Sequence, residues 1–120
     1  MSRERLRLCR YDVVLAAVRV GESMDPRRCI VIEAEPDSDY VTLQPCSSAA
    51  DLFNAAYDTW VEGSETEFRA AGFPRRSYAV GPDNPKGGLA RVRRSQVRKV
   101  SGHLGPEQKR ALCDRYGFDP

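Results

Sequence analysis

The chain has 120 residues, 41% of them hydrophobic, which suits one domain with a modest core. Charged residues make up 30% and the net charge is +2, so charge alone does not mark a nucleic-acid binder. Four cysteines at 9, 29, 46 and 113 form no CxxC pair and His103 is the only histidine, which argues against a zinc site.

In chain order, residues 1–10 read as a basic arm, with Arg3, Arg5, Arg7 and Arg10 against Glu4. Residues 11–120 read as a single domain. Residues 11–20 (YDVVLAAVRV) are rich in β-branched side chains and predict a buried strand. The longest fully apolar run, 13–18, is too short to span a membrane. No secretory segment is visible, so the expectation is a cytoplasmic protein with reduced thiols. Residues 21–28 form a polar loop. Residues 29–35 and 40–46 predict two strands joined by the Pro36-Asp37-Ser38-Asp39 turn, a hairpin. Pro45, late in the second strand, points to an edge or a bulge.

Residues 48–56 predict a short helix capped near Ser48. Trp60 and Val61 are candidate core anchors. The stretch 68–80 (FRAAGFPRRSYAV) joins a helix end, an arginine pair and a strand. Gly72 tolerates the positive φ of a helix C-terminus, and Pro74 prevents continuation. Residues 81–88 are a loop, 89–93 and 97–104 are strands, and Pro106 opens a final helix with Leu112 on its inner face. Short strands separated by turns, with a closing helix, predict a small antiparallel barrel with appended helices.

The charges are segregated. Residues 29–68 hold no Lys or Arg but carry Glu33, Glu35, Asp37, Asp39, Asp51, Asp58, Glu62, Glu65 and Glu67. Residues 86–99 carry Lys86, Arg91, Arg93, Arg94, Arg98 and Lys99 with no acid. Such a layout can guide an anionic ligand to one face and a cationic partner to another; a solvated, clustered surface is the plain alternative. Residues 89–100 alternate like strands and show no helix-turn-helix spacing, which ranks duplex-DNA binding last.

The order of several weak motifs resembles the MazF/PemK family, the toxins of bacterial toxin–antitoxin pairs. Asp12-Val13-Val14-Leu15 matches a GDIVL strand, and Arg27-Arg28-Cys29-Ile30-Val31-Ile32 matches RRPVLVI. Pro45-Cys46-Ser47-Ser48 matches PITS, while Ala71-Gly72-Phe73 and Ser77-Tyr78-Ala79 match AGL and SYV. Residues 95–107, ending SGHLGPE, match the IGRLSPE region. The resemblance implies a mainly β fold with appended helices, an SH3-like (CcdB/MazF-like) barrel, usually homodimeric. It implies metal-independent, cofactor-free, sequence-selective cleavage of single-stranded RNA by 2′-OH attack, and a cognate antitoxin partner. It places the catalytic arginine at Arg28 and the catalytic hydroxyl at Ser47. Charge adds Arg27, Arg75 and Arg76 as RNA-path cations, and Tyr78 is a candidate base-stacking ring.

Each of these residues also has a structural reading. Arg28 can be a surface loop cation, Ser47 a cap, Tyr78 a core ring, and His103 a turn residue rather than a general base. The chain also departs from the pattern. Tyr11 stands where the pattern has glycine, Cys29 where it has proline, and Ser47 where threonine is commoner. The first loop, GESMDPRR, lacks the Gly-Lys-rich character of the pattern. These departures leave open a second function, a catalytically inactive SH3-like module that binds a protein or a nucleic acid.

Overall fold

Three strands carry the sheet in the computed structural model, which describes residues 7–120. They are β1 (Asp12–Ala17), β2 (Pro26–Glu33) and β3 (Tyr40–Ser47), paired antiparallel in that order. β2 starts earlier than its apolar run suggests, because Pro26, Arg27 and Arg28 pair with Ala17, Ala16 and Leu15. On its other edge β1 pairs with β7 (Val97–His103), with two register shifts.

β3 changes partner along its outer edge. Tyr40 to Leu43 pair with β6 (Ala90–Arg93), and Cys46 and Ser47 pair with β5 (Tyr78–Ala79). β5 in turn pairs with β4 (Thr59–Trp60). Gln44 and Pro45 fall in the gap. The Pro45 carbonyl accepts the Val80 N–H at 2.8 Å, and Gln44 Nε2 donates to the Val80 carbonyl at 3.1 Å. A residue's N–H and C=O point to the same side of a strand, so the donor that Pro45 lacks faces this gap. Pro45 therefore marks neither an edge strand nor a bulge. It sits in the most heavily paired strand, and the Gln44 side chain donates to the Val80 carbonyl in place of the N–H that Pro45 lacks. The bulge in this hairpin lies between Val31 and Glu33 of β2.

The sheet has an apolar layer on each face, a first, inner one and a second, outer one that the helices cover. Val14, Ala16, Cys29, Val31, Val41 and Leu43 pack together on one face with Val97. Val13, Ile30 and Cys46 point the other way, under Val61, Ala71, Phe73, Leu104 and Leu112. Strand alternation produces this split directly. The second layer is closed by α1 (Glu65–Ala71) and α2 (Pro106–Tyr116).

The expected basic arm falls partly on residues 1–6, which lie outside the described residues. Within 7–10, Leu8 is buried in the first layer. The Cys9 N–H donates to Asp12 Oδ2 at 2.8 Å, and Arg10 Nε donates to the Ile32 carbonyl at 3.1 Å. Tyr11, which replaces the pattern's glycine, has φ 71°, a conformation that costs a non-glycine residue about 1–2 kcal/mol. Its buried ring, its hydroxyl bond to the Asp119 carbonyl and its backbone bonds to Val31 and Leu104 hold it there. The helix expected over 48–56 is absent. A 3-10 turn over Ala50–Leu52 stands instead, with no side-chain cap on Ala49.

The helices share one carboxylate. Ser64 and Glu67 form a capping box on α1, in which the Ser64 hydroxyl accepts the Glu67 N–H. Glu67 Oε2 also accepts the Glu107 N–H at 3.0 Å and the Gln108 N–H at 3.5 Å, at the start of α2. Desolvation works against the Glu67 charge, but the backbone donors of Ser64, Glu107 and Gln108 outweigh it and hold the carboxyl below its ordinary range. At the other end of α1, Gly72 takes φ 73°. A Cβ on Gly72 would collide with the Ser101 carbonyl, and one on Gly102 with the Ala70 and Ala71 carbonyls.

Two stability experiments follow from these contacts. Gly102→Ala must push α1 off β7 and lose about 1–3 kcal/mol in urea unfolding, with an unchanged m-value. Because the folded Glu67 carboxyl is depressed, its contribution is present above the unfolded carboxylate pKa and lost as pH falls through the folded value. Glu67→Gln is therefore less stable than wild type near neutral pH, and the gap closes on the acid side.

Candidate functional site

Three segments meet where β2 begins and β3 ends. They are the 18–25 loop, the chain just after β3, and the 81–88 loop. The Gly21 N–H donates to the Lys86 carbonyl, which ties the first loop to the third. Between them lies a cleft of about 350 Å³, lined by Ser23, Ser47, Leu52, Tyr78, Asn84 and Lys86 among others.

Asp58 holds this region together. It is buried, with Oδ1 accepting the Gly81 N–H and Asn84 Nδ2 at 3.0 Å each, and Oδ2 accepting the Asn54 N–H at 2.9 Å. One carboxylate thus fixes both sides of the cleft. Ser47 makes a local turn, its Oγ accepting the Ala49 N–H at 3.1 Å. The hydroxyl proton stays available to a ligand.

Alternation divides the arginine pair. Arg27 is opposite Ala16 and shares the face of Cys29, whereas Arg28 is opposite Leu15 and shares the face of Ile30. Arg27 Nη2 donates to Ser23 Oγ at 2.8 Å, at the cleft wall, and its buried Nε has no hydrogen-bond partner among the described residues. Burial pushes the Cys29 thiol up to about 12, while the Arg27 charge pulls it back down, which places that charge close to the inner layer. Cys46 is likewise raised by burial, further raised by Cys29, and lowered by Arg27. Arg28 Nε instead reaches the Gly72 carbonyl at 3.3 Å, at the C-terminus of α1. A cation there suits the helix dipole.

The other expected residues are dispersed. Tyr78 lines the cleft but is buried, its ring edge-on to Phe53 and Trp60 and its hydroxyl donating to the Ala49 carbonyl at 3.1 Å. Buried in this way, it shapes the cleft rather than presenting a face to a base. Arg76 lies 3.8 Å over the Trp60 ring and bonds to Glu62. Arg75 is exposed, and neither it nor Arg76 lines the cleft. His103 Nδ1 lies 2.7 Å from Asp12 Oδ1, a carboxylate ninety-one positions away in sequence, brought there by the β1–β7 register.

No protein-family model matches the chain, and no curated protein matches its sequence. Among solved structures, the Mycobacterium tuberculosis toxin MazF-mt6 superposes with a TM-score of 0.64. The alignment covers 88% of this chain and 92% of that one at 18% identity. The chain has a MazF-like fold. The expectation of a mainly β, barrel-like domain with appended helices agrees with this MazF-like architecture of one antiparallel sheet and two helices. Among the described residues, no helix is long and apolar enough to cross a membrane.

Sequence reading pointed to the strand-end arginines and hydroxyl but passed over Ser23, Asp58, Asn84 and Lys86. The Asn-Pro-Lys-Gly-Gly loop held a signal, since so many turn-formers in a row often build a ligand wall. Asp58→Ala, which orphans two backbone donors and Asn84, should cost about 3 kcal/mol in chemical unfolding. Asp58→Asn, which keeps the shape and an acceptor, should cost less.

Proposed function

We propose that this chain is the toxin of a toxin–antitoxin pair and cleaves single-stranded RNA, with Arg27 and Ser47 at the reacting phosphate. The observation that carries this is the Arg27 guanidinium, whose Nη2 bonds to Ser23 Oγ on the wall of the cleft that Ser47 also lines, within a MazF-like fold. A guanidinium at a cleft wall offers planar N–H donors that suit a phosphate. Arg27 takes the role that motif order assigned to Arg28, because strand alternation turns Arg28 to the α1 side.

In the reaction, a ribose 2′-oxygen attacks the adjacent phosphorus and the bond to the 5′-oxygen breaks, leaving a 2′,3′-cyclic phosphate and a free 5′-hydroxyl. The 2′-OH gives up its proton and the 5′-oxygen gains one, so charge and atoms balance. The need at the phosphorane is for donors aimed at its equatorial oxygens. Arg27 and the Ser47 hydroxyl supply them, and Lys86 neutralises a neighbouring phosphate. Metal independence, an antitoxin partner, a homodimer and a cytoplasmic setting belong to the same proposal. Arg75 and Arg76 serve as outer cations along the RNA path, with Arg76 held by Glu62 until a phosphate competes for it.

The test is cleavage of single-stranded RNA in EDTA. Wild type should cut, Arg27→Gln should be slower by about 10²–10³-fold, and Ser47→Ala should be slower by a smaller factor. Arg28→Gln should change the rate by less than about tenfold while lowering the melting temperature. An Arg28→Gln loss as deep as that of Arg27→Gln would return the centre to Arg28. A wild type that binds RNA and never cuts it would make the chain a binding module.

A further inference from the structure

A second basic feature lies at the opposite end of β3. On β6, Ala90 and Val92 pack into the inner layer while Arg91 and Arg93 alternate outward and are exposed. The register sets Arg93 opposite Tyr40 and Arg91 opposite Thr42. Arg91 Cζ lies 4.1 Å from the centre of the Tyr40 ring, and Arg93 Cζ lies 5.3 Å from it. Two guanidinium groups thus share one aromatic ring. The ring's electron-rich face attracts each of them, yet the two cations repel each other.

Acids of the β2–β3 turn, Asp39 among them, lie near in sequence to Tyr40, but among the described residues none closes an ion pair with Arg91 or Arg93. The following arginine behaves differently. Arg94 is buried and donates to the Glu35 carbonyl at 2.7 Å and the Ser38 carbonyl at 3.2 Å, which is a structural use. No acid occurs anywhere in residues 86–99, the segment that carries both arginines. An anion is the missing component.

We infer that the Arg91–Tyr40–Arg93 stack is a second contact site for single-stranded RNA, holding nucleotides remote from the scissile phosphate. The choice of RNA rests on the ribonuclease reading above and on two local features. Residues i and i+2 of a strand stand about 6.6 Å apart, which lets two forks of N–H donors take successive phosphates of an extended strand. A guanidinium lying on a ring also offers its outer plane to an unstacked base. A carboxylate side chain would use the N–H donors and leave that plane empty. Tyr40 and Ser47 are seven positions apart on one strand, about 23 Å, and that odd spacing sets them on opposite faces of the sheet, so a single RNA must run several nucleotides around the sheet to reach both. The stack therefore acts on long substrates.

The test is binding, by fluorescence anisotropy, of a long, fully 2′-O-methylated single-stranded RNA, which cannot be cut by 2′-OH attack. The Arg91→Gln/Arg93→Gln variant should bind about tenfold more weakly, and the slope of log affinity against log salt should fall by about 1.4, as two lost phosphate contacts require. Lys109→Gln/Arg110→Gln, which removes the same charge from α2, should shift affinity less than about twofold. Unchanged binding in the first variant, or an equal loss in the second, overturns the inference. So does a site that loses polyglutamate binding in the Arg91/Arg93 variant while RNA binding holds, since that marks an acidic protein as the partner. The methylated strand is not a substrate, so a protein that never cleaves RNA still reports on this site. A protein that cleaves RNA but shows no loss here removes this inference alone.

Discussion

Strand β3 is hydrogen-bonded to β2 along one edge and to two different strands in turn along the other. Everything at the cleft depends on that exchange. β6 covers the first half of β3 and continues the inner apolar layer through Ala90 and Val92. β5 covers only the last two residues, and brings Tyr78 beside Ser47. The handover falls at Gln44 and Pro45, where the Gln44 side chain replaces the outward donor that Pro45 lacks. Val80 fills the gap by bonding to both the Pro45 carbonyl and the Gln44 side chain. Without the switch, a single long partner would close over the strand end and leave no cleft.

A sheet with apolar layers on both faces forces each polar side chain in its strands to one side or the other. Arg27 and Arg28 are consecutive and so must part company. One joins the cleft end of the inner layer, and the other caps the helix packed on the outer layer. The same division explains the economy of the helical side. α1 and α2 are short, and their ends are held by few groups, chiefly the Glu67 carboxylate and the close approach of Gly72 and Gly102. The chain thus has one rigid assembly behind the sheet and loops in front of it. Asp58 makes those loops nearly as well fixed as the core.

Much of the architecture is legible in local pattern. β-branched runs gave the long strands, the Pro-Asp-Ser-Asp turn gave the hairpin, Gly72 and Pro106 gave helix boundaries, and Leu112 faces inward as its spacing requires. Local pattern failed where a short segment's fate depends on distant partners. The stretch after Ser47 has a capping residue and alanines suited to a helix, but the Ser47 hydroxyl bends the chain and Asp58 captures Asn54, so one 3-10 turn is all that forms. Tyr11 replaces a glycine yet keeps a glycine-like backbone, because a buried ring and long-range hydrogen bonds compensate for the strain.

Composition and residue order are enough to establish an antiparallel, helix-capped β domain with basic and acidic stretches kept apart, because alternation and turn chemistry act over a few neighbours. The resemblance to the MazF/PemK motifs, with charge, brings attention to Arg27, Arg28 and Ser47 as a group. Choosing between the two arginines takes the registers of β1, β2 and β3 together, since a shift of one residue reverses the face each presents. The Asp12–His103 pair, the Asp58 hub and the two arginines on Tyr40 are likewise products of register. Each joins residues from strands or loops far apart in the chain, and no local rule of spacing contains that information.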